Sequence, residues 1–263
     1  MWVFETQDPS PKATVVIVHG SGEHHGRYDW LTKQWLGSGC HVIIGDLPGH
    51  GENPEIRGHV DSFTNYIDTV ALWVERAATF QLPIILFGHS LGGLAVIRTL
   101  QEHACHPDLV ILSSPCLGLF LPPPIWLTRL LSPVNKWAPS FRVTVKKSAD
   151  NSLATRNKAI LEKDAMDPYI NKKVSVRWYF ELEKAMKEAF VKKQAFPNVP
   201  TFILQAGDDR IVSKQAVYEW FQSIPVKEKY YKEWPGLYHE VFNEPEREEV
   251  YHFLLNQLGP YID

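Results

Sequence analysis

Cysteine is scarce in this chain, and its scarcity excludes several kinds of protein. Among 263 residues there are three cysteines, Cys40, Cys105 and Cys116, which lie far apart. They are too few and too scattered for the disulfide framework of a small secreted domain. Because disulfides belong to oxidising compartments, this cysteine content favours a cytoplasmic protein.

Long apolar runs are also missing. A transmembrane helix needs about 18 consecutive apolar residues, and the sequence has no such run. The first residues, Met1-Trp2-Val3-Phe4-Glu5, contain neither the basic start nor the apolar stretch of a signal peptide. We therefore expect a soluble chain whose contact with membranes is limited to their surface.

An overall excess of positive charge is absent. With 27 Lys+Arg against 30 Asp+Glu the formal net charge is -3, which is not the balance of a nucleic-acid-binding protein. The charge is nevertheless uneven. Residues 116–195 contain 15 Lys+Arg and 7 Asp+Glu, a net of +8, so the remainder carries a net of -11.

Apolar β-branched runs alternate with helical patterns along most of the chain. Such alternation predicts an α/β fold, in which a mostly parallel sheet is covered by helices on both faces. The strand patterns lie at 13–18, 41–44, 83–87, 109–112, 201–204 and 229–234, and the helical ones at 28–36, 62–80, 213–223 and 246–258.

The alternation stops after Ser114-Pro115 and resumes near residue 196. About 80 residues between two sheet strands are too many for a loop. The inserted stretch begins with an apolar, proline-rich segment, 119–131, and ends with a helical pattern at 174–193. We predict a core in two parts, 1–115 and 196–263, with a cap (lid) domain at 116–195 over the strand ends.

The best-defined motif is Gly88-His89-Ser90-Leu91-Gly92-Gly93, between a strand pattern and a helical one. A serine between two glycines at such a turn is typical of a nucleophile elbow. The turn is too sharp for side chains at the two flanking glycines. It raises the Ser90 hydroxyl above the sheet edge, at a helix N-terminus that stabilises developing negative charge.

A serine nucleophile needs a general base, which in turn needs an acid to orient it. His239 is the preferred base because its loop lies at the carboxyl edge of the predicted sheet. His252 falls inside a helical pattern and is interpreted as a surface or packing residue. Asp208 and Asp209 both follow a strand at the same edge and both qualify as the acid. Asp209, one residue further into the turn, is preferred, and Asp208 is interpreted as a residue whose side chain stabilises the turn.

Backbone N–H groups must stabilise the charge that develops on the substrate oxygen. The residue after the nucleophile, Leu91, is one predicted donor. The other is Ser21, in the small-residue loop His19-Gly20-Ser21-Gly22. Together with Ser90 and its base, these donors would complete a site for acyl transfer.

Other polar residues near these motifs have simpler interpretations. His24, His25, His50 and His59 lack the spacing of metal ligands on one helix and have no cysteine pair beside them. The sequence therefore predicts no metal site. Asp46 follows a strand at the same edge and is interpreted as a residue that organises its loop.

These segments resemble the monoacylglycerol lipase and lysophospholipase branch of the α/β-hydrolases. Residues 19–28 resemble its H-G-x-G-E-H-x-x-R-Y signature, and residues 88–93 its G-H-S-x-G-G motif. Asp209 and His239 lie at the matching acid and base motifs. The segments 112–118, 174–179 and 243–248 are similar to bacterial lysophospholipases associated with bacilysocin synthesis.

The resemblance extends along the chain and implies an α/β-hydrolase fold with Asp209 as the acid. It also implies hydrolysis of a single-chain acyl ester, a monoacylglycerol or a lysophospholipid, without a cofactor. Many members have two strands before the position of Ala13, whereas this sequence has room for one. We therefore expect about seven strands.

The predicted cap indicates how an acyl chain would be bound. Leu119, Phe120 and Trp126 belong to a dense apolar segment, and Tyr179 lies on the apolar face of the helical pattern that follows. Since each buried CH₂ contributes about 0.8 kcal/mol, an acyl channel lined by these four residues would give affinity. Ordinary packing against the sheet is the alternative. The cap's positive charge is likewise either a face toward anionic lipid or a solvated surface.

Two other functions remain compatible with the sequence. A general carboxylesterase for short soluble esters would use the same residues. A ligand-binding α/β-hydrolase with little turnover is the other alternative. Acyl transfer and C–C bond hydrolysis could also use the same triad.

Replacing Ser90 by alanine tests the predicted nucleophile. Ser90→Ala should lower kcat for an acyl ester by several orders of magnitude while the fold stays intact. Steady-state kinetics and circular dichroism measure the two properties. A variant with near-normal esterase activity would show that the nucleophile lies elsewhere.

Overall fold

The structure is a computed structural model that describes residues 1–144 and 153–262. Seven strands form one sheet in the order β1-β3-β2-β4-β5-β8-β9, and β6 and β7 form a separate antiparallel pair. The strands are β1 (Trp2–Phe4), β2 (Ala13–Val18), β3 (Cys40–Ile44), β4 (Ile84–His89), β5 (Leu109–Ser113), β6 (Arg142–Thr144), β7 (Lys173–Ser175), β8 (Thr201–Ala206) and β9 (Lys229–Trp234).

Helices cover both faces of the sheet, as the alternating pattern predicted. The α-helices in the described ranges are α1 (Asp29–Gly37), α2 (Thr64–Ala78), α3 (Leu91–Glu102), α4 (Ile125–Trp137), α5 (Lys158–Met166), α6 (Val176–Val191), α7 (Lys214–Ser223) and α8 (Arg247–Ile262). Side chains alternate across a strand. In β2, Val15 and Ile17 pack with α1 and α8, whereas Val16 and Val18 pack with α2, α3 and α7.

The sheet is parallel except for its first strand. β1 pairs antiparallel with β3, and the other neighbours pair in parallel. In the described ranges, one strand before Ala13 and seven strands in the main sheet confirm the expectation from the short N-terminus. The parallel arrangement brings the carboxyl ends of β2, β4, β5, β8 and β9 to one edge, where loops can meet.

The segment between β5 and β8 contains more regular structure than the sequence indicated. α5 and the β6–β7 pair were not predicted. The last helix begins at Val176 rather than 174, because Lys173–Ser175 pairs with Arg142–Thr144 and the Ser175 hydroxyl accepts a hydrogen bond from Trp178 N. Residues 145–152, including two of the basic residues counted in the predicted cap, lie outside the described residues.

α4 has no buried residue although its sequence is strongly apolar. Its sequence places leucines and tryptophans on two sides of the helix, and several are strongly exposed. Within 1–144 and 153–262, no helix has both the length and the apolar character that crossing a bilayer requires.

Candidate active site

The turn between β4 and α3 has the shape that the Gly-x-Ser-x-Gly pattern predicts. Ser90 adopts φ 51° and ψ -117°, a conformation that costs energy for a residue with a side chain. A Cβ on Gly88 would lie 2.7 Å from Gly92 O, and one on Gly92 would lie 2.2 Å from Val18 O. Side chains at these two positions would therefore collide with the backbone.

Hydrogen bonds to neighbouring elements hold the Ser90 backbone in place. Ser90 N donates to Ser113 O over 3.0 Å, which ties the turn to the end of β5. Ser90 O accepts from Leu94 N and from Cys116 N, at 3.1 and 2.9 Å. These bonds compensate for the strained conformation and fix the direction of the serine side chain.

The structure selects Asp209 over Asp208 as the partner of His239. His239 Nδ1 lies 2.8 Å from Asp209 Oδ2, and both side chains are buried. The other carboxylate oxygen, Oδ1, accepts hydrogen bonds from Ile211 N and Val212 N. Asp208 is exposed. We expected Asp208 to stabilise the turn through its side chain, but Asp209 does so, because its carboxylate points back into the loop.

Burial and pairing act in opposite directions on these two groups. Burial alone would raise the pKa of Asp209, but the charge and hydrogen bond of His239 and two backbone N–H groups lower it. Burial alone would lower the pKa of His239, but the Asp209 charge and hydrogen bond raise it above its ordinary value. An ionised Asp209 can only accept, so Nδ1 of His239 carries a proton and Nε2 is left to act as a base.

Ser90 and His239 line one cavity, as do the predicted N–H donors Ser21 and Leu91. In the described residues no internal hydrogen bond uses the N–H of Ser21 or Leu91. Nor does a hydrogen bond join Ser90 to His239 in this part of the chain. Such contacts often tighten only when substrate binds. The structure thus brings four of the five residues predicted for the reaction to one cavity, and the fifth, Asp209, contacts His239 from outside it.

The cavity has a volume of ≈ 490 Å³ and mostly apolar walls. Leu119 and Tyr179 line it, as predicted for an acyl channel. Phe120 and Trp126 do not; they are 50% and 67% exposed. The two predictions are corrected by geometry, since residues one apart in a helix or extended segment point in different directions. α4 instead turns Leu127, Thr128 and Leu131 toward the cavity.

A buried ion cluster beside His239 was missed from the sequence. The side chain of Arg27 is 4% exposed and pairs with Glu23, Asp164 and Glu240. Burial alone would lower the pKa of Arg27, but the three carboxylates raise it well above its ordinary value. Glu23 and Arg27 lie within the signature at residues 19–28, so the sequence marked these two members of the cluster. Asp164 and Glu240 have no pattern that would reveal their role.

Some loop histidines converge more than the sequence suggested. Within the described ranges, His24, His25 and Asp46 could each place one ligand atom within 4.8 Å of the others. His24 Nε2 is already 2.8 Å from Asp167 Oδ2, and His25 Nδ1 is 3.0 Å from Asp46 Oδ1. Asp46 also accepts from the backbone N–H groups of His25 and Glu52. These bonds support the loop-organising role predicted for Asp46.

Comparison with known proteins identifies the family. The sequence profile of the Hydrolase_4 family, described as serine aminopeptidase, S33, matches residues 9–246. This chain belongs to that family. It is 46% identical over 253 residues to phospholipase YtpA of Bacillus subtilis (strain 168), covering 95% of this chain and 96% of that protein.

Two further relatives connect this Hydrolase_4 member to monoacylglycerol lipases. The human monoglyceride lipase is 29% identical over 242 residues, covering 89% of this chain and 78% of its own. The crystal structure of Paleococcus ferrophilus monoacylglycerol lipase superposes with a TM-score of 0.86 at 29% identity, covering 98% and 96% of the two chains. The resemblance to the monoacylglycerol lipase and lysophospholipase branch, and the α/β-hydrolase fold, are thereby confirmed.

The pKa of His239 predicts the acid side of the pH profile. The base must be neutral to accept the serine proton, so kcat/KM falls as pH falls through the His239 pKa. Because Asp209 raises that pKa, the midpoint should lie above the ordinary value of 6.5. Initial rates with a non-ionising ester between pH 5 and 9 measure it.

Asp209→Asn is the matched variant for this profile. It removes the carboxylate but leaves the burial, so the midpoint should move to lower pH and the plateau rate should fall about 10⁴-fold. A profile that stays flat down to pH 5, or a midpoint that Asp209→Asn does not move, contradicts the assignment of His239.

Proposed function

We propose that this protein hydrolyses the carboxylic ester of a single-chain acyl lipid, a monoacylglycerol or a lysophospholipid. The observation that carries the proposal is the shared cavity: Ser90 and the Asp209-paired His239 open into ≈ 490 Å³ of mostly apolar space. The relatives support it, since the most similar of those described above is named a phospholipase and the others are named monoglyceride or monoacylglycerol lipases.

The first half of the reaction follows from the geometry. Nε2 of His239 takes the Ser90 proton as the serine oxygen attacks the ester carbonyl. The N–H groups of Ser21 and Leu91 stabilise the oxyanion that forms. Asp209 stays ionised and stabilises the imidazolium. His239 then gives its proton to the leaving alcohol, which leaves an acyl-enzyme on Ser90.

Hydrolysis of the acyl-enzyme reuses the same groups. A water molecule loses a proton to Nε2 of His239 and attacks the acyl carbonyl, and the same two N–H groups stabilise the second oxyanion. The fatty acid leaves as Ser90 recovers its proton. No metal or cofactor takes part in any of these proposed steps.

The segment 116–195 acts in this scheme as the cap that binds the acyl chain. Its helices provide much of the apolar wall, through Leu127 and Leu131 of α4 and Tyr179 and Leu182 of α6. An acyl chain in this space is removed from water, and each CH₂ contributes about 0.8 kcal/mol. This amounts to about a fourfold gain in kcat/KM per methylene while the chain still fits.

A substrate series tests the proposed function. Monoacylglycerols, lysophospholipids and p-nitrophenyl esters of increasing chain length, each below its micellar concentration, should show kcat/KM rising about fourfold per CH₂ before a plateau. An optimum at acetate or butyrate would instead identify a general carboxylesterase. Failure of Ser90 to react with a fluorophosphonate would favour a ligand-binding protein.

We further propose that the outer face of α4 contacts a lipid surface. Ile125, Trp126, Leu130 and Trp137 are each at least 65% exposed, and Leu121 beside them is 80% exposed. Five large apolar side chains exposed on one short segment are typical of an interaction site. Arg129 and Lys136 on the same helix are exposed and suit anionic headgroups. The opposite face of α4 lines the cavity, so a lipid would have a short path inward.

Vesicle binding tests this contact. Trp126→Ser combined with Leu130→Ser should weaken sedimentation with phosphatidylglycerol vesicles at least tenfold, because two apolar side chains no longer leave water. Activity on a short soluble ester should not change. Leu72→Ser is the matched control, since Leu72 is 59% exposed on α2. Equal binding by the double variant contradicts the contact, and binding independent of anionic lipid contradicts the role of the basic residues.

A further inference from the structure

Arg27 connects the two loops that flank the predicted nucleophile. Its Nη1 donates to Glu23 and, over 3.2 Å, to Glu240 Oε1, while Nη2 lies 2.9 Å from Glu240 Oε2. Glu23 belongs to the loop after β2, which contains the predicted oxyanion donor Ser21. Glu240 directly follows His239. One buried guanidinium therefore joins the loop with the oxyanion N–H to the loop with the catalytic histidine.

The Glu23 carboxylate passes this restraint on to the backbone, and the backbone of Glu240 is held separately. Glu23 Oε2 accepts hydrogen bonds from Gly20 N and the Tyr28 hydroxyl, at 2.8 and 2.7 Å. Gly20 N belongs to the His19–Gly20 peptide, so Glu23 holds the peptide group directly before the one that carries the Ser21 N–H. The N–H of Glu240 donates to Ala154 O over 2.8 Å. A displacement of Arg27 would therefore move both the loop that contains Ser21 and the loop that contains His239.

Asp164 is the member of this cluster that comes from the inserted segment. Its Oδ1 and Oδ2 lie 2.9 and 2.7 Å from Nε and Nη2 of Arg27, a bidentate pair. No residue of α5 is buried, so apolar packing does not hold this helix on the core. Polar contacts do: Asp164 with Arg27 and, just beyond the helix, Asp167 with His24.

The cluster has more negative than positive charge. Three carboxylates surround one guanidinium. Burial raises the pKa of Asp164 even though Arg27 opposes the shift. Arg27 would keep two carboxylate partners without Asp164, so neutralising Arg27 does not explain the position of Asp164. Its planar, two-oxygen contact instead sets the orientation of the guanidinium plane.

We infer that Asp164 is a positioning residue for the reaction: through Arg27 it sets the geometry of the oxyanion loop and the histidine loop together. The inference rests on the proposed serine-hydrolase function. It means that the Asp164 contact of α5 with Arg27, rather than the docking of α5 in general, contributes to the chemical step.

Asp164→Asn is the decisive variant. The amide keeps the shape of the side chain but places an N–H₂ donor against a donor nitrogen of Arg27, so the guanidinium must turn. Because small misplacements of reacting groups cost about 10- to 100-fold in rate, kcat should fall by that factor. The loss should be the same for p-nitrophenyl acetate and for a long-chain monoacylglycerol, with KM changed less than about twofold. Asp164→Glu, which restores a carboxylate, should recover most of kcat.

Two control variants separate this role from a general effect on α5. Glu162→Gln removes the same charge from an exposed position on that helix. Asp167→Asn loosens the contact with His24 without touching Arg27. Both should keep kcat for p-nitrophenyl acetate within about twofold of the unmutated protein, and all variants should unfold within a few degrees of it. An equal loss of kcat in either control overturns the inference.

The separate effects of Asp164→Asn on kcat and on KM provide a second test of the inference. If Asp164→Asn raises KM for long-chain esters alone and leaves kcat for p-nitrophenyl acetate unchanged, Asp164 is only part of the cavity wall and the inference is wrong. The rate of Ser90 labelling by a fluorophosphonate gives a readout that does not depend on the substrate. A protein that labels rapidly but cleaves no acyl ester would disprove the proposed function, while slower labelling of Asp164→Asn would still support the positioning role.

Discussion

The backbone of Ser90 is held in a conformation that an L-residue rarely adopts, and the arrangement of the site depends on it. At φ 51° the turn is stable only because its peptide groups bond to Ser113, Leu94 and Cys116. The end of β5, the loop after it and the first turn of α3 provide these partners. The stability of the whole core thus compensates for local strain at one residue, as is common where geometry is functional.

Burial and the charge of the partner both shift the pKa values of His239 and Asp209. In a low-dielectric interior the Asp209 carboxylate acts strongly on the imidazole, and desolvation acts against it. The outcome is a raised His239 pKa and a lowered Asp209 pKa. Behind the histidine, Arg27 gathers three further carboxylates without competing for Asp209. Asp209 therefore acts on the imidazole of His239, whereas the carboxylates around Arg27 act on that guanidinium.

The inserted segment has two kinds of contact with the core. α6 packs its buried residues Leu182, Ala185 and Met186 into the same apolar cluster as α2, α3 and α7. α5 has no buried residue and is held by ion pairs. α4 exposes one apolar face and turns the other toward the cavity. One firmly packed helix and two helices without buried residues line the same cavity, an arrangement that suits the proposed binding of an acyl chain.

Much of the fold could be predicted from the sequence because its signals are local. The strand predicted at 229–234 is β9, residue for residue. The elbow at Ser90 was predictable because steric exclusion by glycines acts within a few residues. The histidine loop was predictable because parallel strands all end at the same edge. The family resemblance favoured Asp209 over Asp208, and the structure shows the physical reason, since the Asp209 carboxylate points to His239 and Asp208 is exposed.

The sequence by itself determined the sheet, the covering helices and the residues available for chemistry, because periodicity and turn sterics are properties of neighbours along the chain. The tertiary structure decided which side chains face the cavity, turning Leu127 and Leu131 inward and Trp126 outward. It also decided that Asp164 meets Arg27, 137 positions away. Such pairings depend on how separate elements dock, and no short-range pattern contains that information.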